Sequence, residues 1–156
     1  MNAFYKITTA LNTELKAAGF SVVTIGDYFK ADLSRQTIFP YAHIVPQSKS
    51  YGTKTETMNS YSFAIIGMDI VDFNKDDLRN EAKPFEGTDN LIDVLNDIDN
   101  RLELVVEQFV RGREYDLNIV SYGQPSQDNF MERFENLLAG WELVIELTVP
   151  NDTPIC

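Results

Sequence analysis

The chain has 156 residues, of which 44% are hydrophobic and 24% charged, and its formal net charge is −11. This size suits one domain with its own core, so we expect a single domain over residues 1–156. The acidic charge disfavours binding to nucleic-acid phosphates and anionic membranes, and no apolar run approaches the roughly 18 residues of a membrane span. A single cysteine excludes an internal disulfide, and the opening residues lack a secretory-signal pattern, which predicts synthesis in the cytosol.

The first half of the chain predicts one helix followed by three strands. Four apolar residues recur at spacings of three and four: Phe4, Ile7, Leu11 and Leu15. This spacing predicts a helix over residues 3–18, and the sequence after it predicts strands over 20–26, 38–45 and 59–73. Pro40 cannot donate to a β-ladder, so we expect the second strand at a sheet edge or beginning after the proline. The third strand is apolar on both faces, which predicts a middle strand, and its Gly67 predicts a bulge or a close packing contact.

A long polar stretch separates the second and third strands. Residues 46–58 read PQSKSYGTKTETM and are rich in Ser, Thr and Lys. If the two strands pair, these residues form a hairpin arm longer than the usual loop of about two to five residues. Long loops in compact domains often carry function, so the arm is the first candidate for contacts with another subunit or partner. The predicted contact residues in it are Lys49, Tyr51, Gly52, Lys54 and Thr55. Tyr51 either anchors in a partner's pocket or folds back on the arm, and the sequence favours neither.

The second half of the chain predicts a long helix and further strands. Six apolar residues repeat at spacings of four and three: Leu91, Leu95, Ile98, Leu102, Val105 and Phe109. This repeat predicts a helix over residues 89–111. Residues 115–123 predict a short strand, and SQDN at 126–129 predicts the turn after it. Two alternating runs within 130–150 are separated by a break at 136–140, and the second run places an apolar face, from Trp141 to Val149, against a core. Residues 150–156 predict a short polar tail.

The resulting order, α-β-β-β-α-β-β, predicts the fold class. Helices separated by hairpins, rather than strict βαβ alternation, favour an α+β domain with a mainly antiparallel sheet. We expect the two helices to pack on one face of that sheet. The fold class is therefore α+β with a long polar hairpin arm and no internal repeat.

No pattern in the sequence indicates catalysis or metal binding. His43 is the only histidine, which excludes multi-histidine metal sites, and we expect it at a sheet edge or interface rather than as a general base. The aspartates in 89–103 lack a turn glycine, and those in 69–77 have the composition of an ordinary surface loop, so both predict solvated surface rather than a cation site. Gly-rich phosphate loops and a Gly-x-Ser-x-Gly elbow are absent as well. We therefore expect no enzyme activity, no metal and no cofactor.

The layout of the chain resembles the tail terminator (tail completion) proteins of tailed bacteriophages. The similar features are an N-terminal amphipathic helix, an FPYAHI strand, a polar hairpin arm before a long strand, and a long central helix. The strongest similarity is the final NLLAGWELVIELTVPND, in which a Gly-Trp pair precedes an alternating strand and a Val-Pro stop.

The resemblance implies a structural virion protein of the tail or neck. Such proteins form a ring, usually a hexamer, that caps the tail tube and contacts a head-completion or connector protein, while DNA passes through the channel without specific binding. Besides the arm, the expected contact residues are Pro40, His43, Trp141, Asn151 and Asp152. Pairing across subunits is expected from residues 63–66 and from an edge strand. The alternatives are a small non-enzymatic adaptor of a phage neck or baseplate, and an enzyme without a recognisable motif.

Overall fold

A computed structural model of the protein describes residues 3–27, 39–52, 58–71, 91–112, 118–121, 123–133 and 138–150. Its elements in chain order are α1 (Ala3–Ala17), β1 (Val22–Ile25), β2 (Tyr41–Ser50), β3 (Met58–Ile70), α2 (Leu91–Arg111), β4 (Ser126–Arg133) and β5 (Leu138–Pro150). The described elements are two helices and five strands, as predicted in number, but both strands after α2 lie within residues 126–150. Within the described part of the chain, no helix is both long enough and apolar enough to cross a membrane.

The five strands form one sheet in the order β1-β2-β3-β5-β4. Only β1 and β2 run parallel, and every other neighbouring pair is antiparallel, which confirms the predicted mainly antiparallel sheet. The central strand is β3, because it pairs with β2 on one side and with β5 on the other. Both of its edges are therefore occupied, and the expectation that residues 63–66 pair across subunits is wrong.

Both helices lie on the same face of the sheet, as predicted. Their buried apolar residues form one cluster with alternate residues of the strands. The sheet contributes Ala42, Ile44, Tyr61, Phe63, Ile65, Ala139, Leu143, Ile145, Leu147 and Val149 to this cluster. The apolar stripe of α2 supplies most of the helical side, with Ile98, Leu102, Val105 and Phe109 fully buried. Burial of such stripes, more than helix propensity, is what stabilises helices of this length.

The opposite face of the sheet carries a second, smaller apolar cluster. Its buried members are Tyr41, Val45, Ala64, Ile66, Met68, Phe130 and Leu138. Successive residues of β3 thus alternate between the two clusters, since side chains in a strand point to opposite faces in turn. This arrangement explains why the centre of β3 is apolar without alternation.

Two predicted details of β2 and β3 are confirmed. The strand β2 begins at Tyr41, directly after Pro40, whose carbonyl accepts a hydrogen bond from the Ser21 N–H at 2.9 Å. Gly67 marks a close packing contact, because a Cβ at this position would lie 2.9 Å from Ile98 Cγ2 and 3.1 Å from Phe20 Cζ. The glycine therefore lets α2 approach the middle of the sheet.

Several predicted boundaries are wrong, because strands begin earlier or end later than the sequence pattern indicates. The strand β2 continues through residues 46–50, and β3 begins at Met58, so the first five residues and the last residue of the predicted arm are strand. The strand β4 begins at Ser126, inside the SQDN segment predicted as a turn, and β5 begins at Leu138, inside the predicted break. The polar segments 46–50 and 126–129 pair with long neighbouring strands, and ladder hydrogen bonds outweigh their weak intrinsic strand preference.

The predicted short strand at 115–123 is not a strand in the described residues. Residues 118–121 instead form a single bridge, in which Val120 pairs with Thr148 of β5 through two backbone hydrogen bonds of 3.1 and 2.8 Å. Asn118 adopts a left-handed backbone conformation, with φ of 60°, and asparagine tolerates this better than most residues. The strand β4 pairs with β5 from Leu138 to Val144, and the bridge at Thr148 lies on the C-terminal side of that stretch.

Candidate functional site

The candidate functional site is the outer half of the β2–β3 hairpin. Residues 46–50 of β2 are all exposed, and so are Tyr51 and Gly52, which follow the strand. The register pairs Ser48 with Ser62, Lys49 with Tyr61, and Ser50 with Ser60. Lys49 and Tyr61 therefore share one face of the hairpin, and it is the face on which the helices lie.

A β-bulge at the start of this outer half sets the orientation of Lys49. The register shifts between Pro46 and Ser48, which leaves Gln47 as an extra residue in β2. Proline has no backbone N–H, and within sheets it occurs at edges and bulges. The Gln47 side chain stays within the hairpin, where its Oε1 accepts a hydrogen bond from Ser62 Oγ at 3.0 Å.

Among the described residues, the outer edge of β2 is unpaired along this segment. The neighbouring strand β1 covers β2 only from Tyr41 to Ile44, and its last backbone contact is the Gly26 N–H, which donates to the Ile44 carbonyl at 3.0 Å. From Pro46 to Ser50, none of the described strands pairs with this edge. The peptide groups on this edge are therefore able to pair with another extended chain.

A lysine packed against tyrosine rings stands beside the open edge. The Lys49 ammonium lies 4.3 Å from the centre of the Tyr51 ring and 5.3 Å from that of Tyr61, within the range of cation–π attraction. A hydrogen bond to the Tyr61 hydroxyl raises the pKa of Lys49 above its ordinary value. Among the described residues, no carboxylate forms an ion pair with this ammonium. Lys49 is therefore a fixed positive charge on a strongly acidic protein.

A shallow groove of about 260 Å³ runs between this hairpin and the start of α1. Its lining residues are Phe4, Pro46, Gln47, Ser48, Lys49, Tyr61, Ser62 and Phe63. The Phe4 ring closes one side, with its centre 5.9 Å from that of Tyr61 and 6.1 Å from that of Phe63. Sites for small molecules usually have volumes of roughly 300 to 1,000 Å³ and enclose their ligand, so this groove suits a protruding side chain better.

The other face of the outer hairpin is lined by hydroxyl groups. Ser60 Oγ and Thr148 Oγ1 lie 2.9 Å apart and form a hydrogen bond between β3 and β5. Glu146 of β5 pairs with Ser62, so a carboxylate stands beside these hydroxyl groups. On the helix-side face, the Gly52 N–H donates to the Oδ1 of the buried Asn59 at 3.4 Å. The hairpin therefore has one aromatic and cationic face and one face of hydroxyl groups bordered by an acidic residue.

The structure brings together some of the predicted contact residues and separates others. Lys49, Tyr51 and Gly52 lie together at the hairpin end. Lys54, Thr55, Asn151 and Asp152 lie outside the described residues. Trp141 is half-buried among the helix-side core residues, where its indole Nε1–H donates to the Leu95 carbonyl at 2.8 Å and fastens α2 to the sheet.

His43 is enclosed in the monomer, so its predicted position at an accessible edge or interface is wrong. Its side chain is completely buried. The Nε2 atom lies 2.7 Å from the Asp27 carbonyl oxygen, which can only accept, so Nε2 carries a hydrogen. The Nδ1 atom lies 2.6 Å from Thr24 Oγ1, and that hydroxyl also contacts the Tyr41 hydroxyl. The histidine therefore ties the end of β1 to β2.

Phe4 and Tyr61 line the groove although neither was a predicted contact residue, whereas Pro46 lies in the predicted arm. Periodicity assigns Phe4 and Tyr61 to the core, and both do contact it. Their additional role depends on the register that pairs Lys49 with Tyr61, which follows from the bulge at Gln47. The available signal was the Pro46-Gln47 pair, since a proline at the end of an apolar strand favours a bulge.

Within the described ranges, no three His, Cys, Asp or Glu side chains are grouped closely enough to hold a metal ion. No model of a known protein family matches the sequence, and a comparison with curated proteins finds no similar chain. The hairpin surface is therefore interpreted from its own geometry and chemistry.

Proposed function

We propose that this protein is a structural virion component of the tail terminator type. In this proposal it forms a ring, with six copies as the expected number, that caps the tail tube and joins it to the head-side connector. The sequence layout supports the class, and the open edge of β2 beside Lys49 and Tyr51 is the observation that carries the proposal. The protein would be made in the host cytoplasm and function in the virion.

A ring requires two different surfaces on each copy, because head-to-tail contacts are heterologous. The sheet offers two such surfaces at its opposite sides. One is the outer half of β2, and the other is β4, which among the described strands pairs only with β5. Open strand edges tend to pair with other chains, and native proteins cover or block them. Assembly into a ring would cover both edges of every copy.

The charge of the protein suits a channel through which DNA moves. Each copy carries a formal charge of −11, and six copies would repeat this charge around the ring. Such a field repels phosphates, so DNA would pass without adhering. We expect no binding to duplex DNA in a fluorescence anisotropy titration, even at low salt where nonspecific binding is strongest.

The test of the proposal is the mass of the assembled protein. We expect native mass spectrometry and light scattering to detect a closed oligomer whose proportion rises with protein concentration, and negative-stain electron microscopy to image rings. The same protein should co-sediment with assembled tail tubes and stop their elongation. A chain that is monomeric at every concentration and does not bind tubes would contradict the proposal. A monomer that binds tubes would instead support the small adaptor.

A further inference from the structure

We propose that the groove beside Lys49 is the receiving half of the contact between copies, and that it takes an extended, carboxylate-bearing segment of a second copy of this chain. The main chain of that segment would pair with the open edge of β2. One of its carboxylates would contact Lys49, and an apolar side chain would enter the groove. This inference rests on the proposed ring and identifies one side of its interface.

The chemistry of Lys49 selects the charge of the partner segment. Its ammonium is held over the Tyr51 and Tyr61 rings, so the positive charge is placed before any partner arrives. No carboxylate of the described residues neutralises it. The ordinary pKa of lysine lies well above neutral, and the hydrogen bond to Tyr61 raises the pKa of Lys49 further. A carboxylate is the complementary group, and this chain carries 24 acidic side chains that could supply it.

The groove and the strand edge select the shape of the segment. Because no described strand pairs with this edge from Pro46 to Ser50, it can accept a short extended strand. Side chains of an added strand alternate between the two faces, so every second one would lie on the helix side, near the groove. There Phe4, Pro46 and Tyr61 provide an apolar surface for it. Main-chain pairing combined with alternate side-chain pockets is the usual form of strand addition.

A second copy is the occupant that the charge balance favours. The chain has 24 acidic and 13 basic residues, so its surface supplies many carboxylates and few competing cations. Two copies of such a protein repel each other unless a positive group lies within the contact. Lys49 supplies that group at the open edge of β2. The second open edge, at β4, lies on the far side of the same sheet, so copies arranged head to tail can continue into a ring.

Lysine on an edge strand has an opposite use, which the experiment must distinguish. Natural proteins place lysine on exposed edges to prevent strand pairing between molecules. In that case, replacing Lys49 would increase self-association. In the proposed contact, replacing it would decrease self-association, so the direction of the change separates the two roles.

The experiment compares the full-length wild-type chain with two charge-reversed variants. Lys49→Glu alters the proposed contact, and Lys16→Glu is the matched control, since Lys16 is an exposed lysine in the last turn of α1. We expect native mass spectrometry over a concentration series to show that Lys49→Glu raises the dissociation constant roughly 10- to 100-fold, as for like charges placed together in an interface. Lys16→Glu should stay close to wild type.

Amine acetylation read by mass spectrometry gives an independent measurement. Lys49 should react more slowly in the oligomer than in the diluted monomer, while the reactivity of Lys16 stays unchanged. Circular dichroism of Lys49→Glu should match wild type, because the side chain is exposed. If wild type assembles and Lys49→Glu assembles equally well or better, the inference is overturned while the proposed ring remains. If wild type is monomeric at every concentration, both are overturned.

Discussion

Gly140 offers the sharpest test of how the two long strands fit together. It lies in β5 opposite Met68 of β3, and it is buried. A Cβ on this residue would lie 1.8 Å from the Gly67 carbonyl oxygen, 2.9 Å from the carbonyl carbon of the same residue and 3.0 Å from Met68 Cα. All three atoms belong to the backbone of the neighbouring strand. A methyl group at this position therefore requires the β3–β5 ladder itself to move.

The expected cost of Gly140→Ala follows from that geometry. Extra methyl groups forced into a packed interior cost typically about 1 to 3 kcal/mol, and a clash with backbone rather than a flexible side chain belongs at or above the upper end. We expect a loss of about 3 kcal/mol in the free energy of unfolding. For a chain of this length, such a loss corresponds to a decrease in Tm of about 6 to 12 °C.

The assay is urea unfolding followed by circular dichroism, with Gly123→Ala as the control. Gly123 is exposed, and the nearest atom to an added Cβ is Glu146 Cβ at 3.8 Å, which is ordinary contact. Its substitution should change stability by no more than about 0.5 kcal/mol. If Gly140→Ala also unfolds within about 0.5 kcal/mol of wild type, the close approach of β5 to the backbone of β3 is refuted.

Three further predictions concern single side chains. Trp141→Phe removes the indole donor to the Leu95 carbonyl, and urea unfolding should detect a loss of about 1 kcal/mol; an unchanged midpoint would contradict this role. His43→Leu leaves two polar partners without the ring nitrogens, and thermal unfolding should detect a loss of about 2 to 3 kcal/mol; a variant as stable as wild type would contradict it. Hydrogen bonding to Tyr61 raises the pKa of Lys49. The positive charge of Lys49 therefore contributes fully to association below pH 10.5, and this contribution is lost as the pH rises through the raised pKa. The difference in association between wild type and Lys49→Ala should therefore be constant from about pH 7 to about pH 9 and shrink above pH 10.5; a change between pH 7 and 9 would contradict it.

Hydrophobic periodicity predicted the parts of the fold whose burial is strongest. The repeat from Leu91 to Phe109 predicts α2 to within two residues, because all its apolar positions face the sheet. The two-sided apolar centre of β3 correctly indicated a middle strand, since each face of it contacts a separate cluster. In both elements the side chains that decide the structure are in the segment itself, so the local sequence contains the information.

The segments that were predicted wrongly are strands whose stability depends on a distant partner. Residues 46–50 have no apolar face, yet they continue β2 because β3 supplies a long ladder beside them. The segment beginning at Ser126 likewise becomes β4 by pairing with β5. Turn propensity of Ser, Asp and Asn is a local quantity, and the hydrogen bonds that override it come from residues ten or more positions away. The residue pattern within these segments therefore carries no information about the hydrogen bonds that make them strands.

The sequence predicted which segment carries the candidate site, but it did not predict the surface that this segment forms with its neighbours in the fold. Sequence composition singled out Lys49 and Tyr51, because polar stretches between strands often mediate contacts. The open edge depends on where β1 ends, and the groove depends on Phe4 meeting Tyr61, and both are properties of the folded arrangement. An edge that is open, a cation that is preplaced and an apolar groove occur within a few residues of each other. Each feature alone is common on protein surfaces, whereas a strand carrying a carboxylate and an apolar side chain would use all three at once.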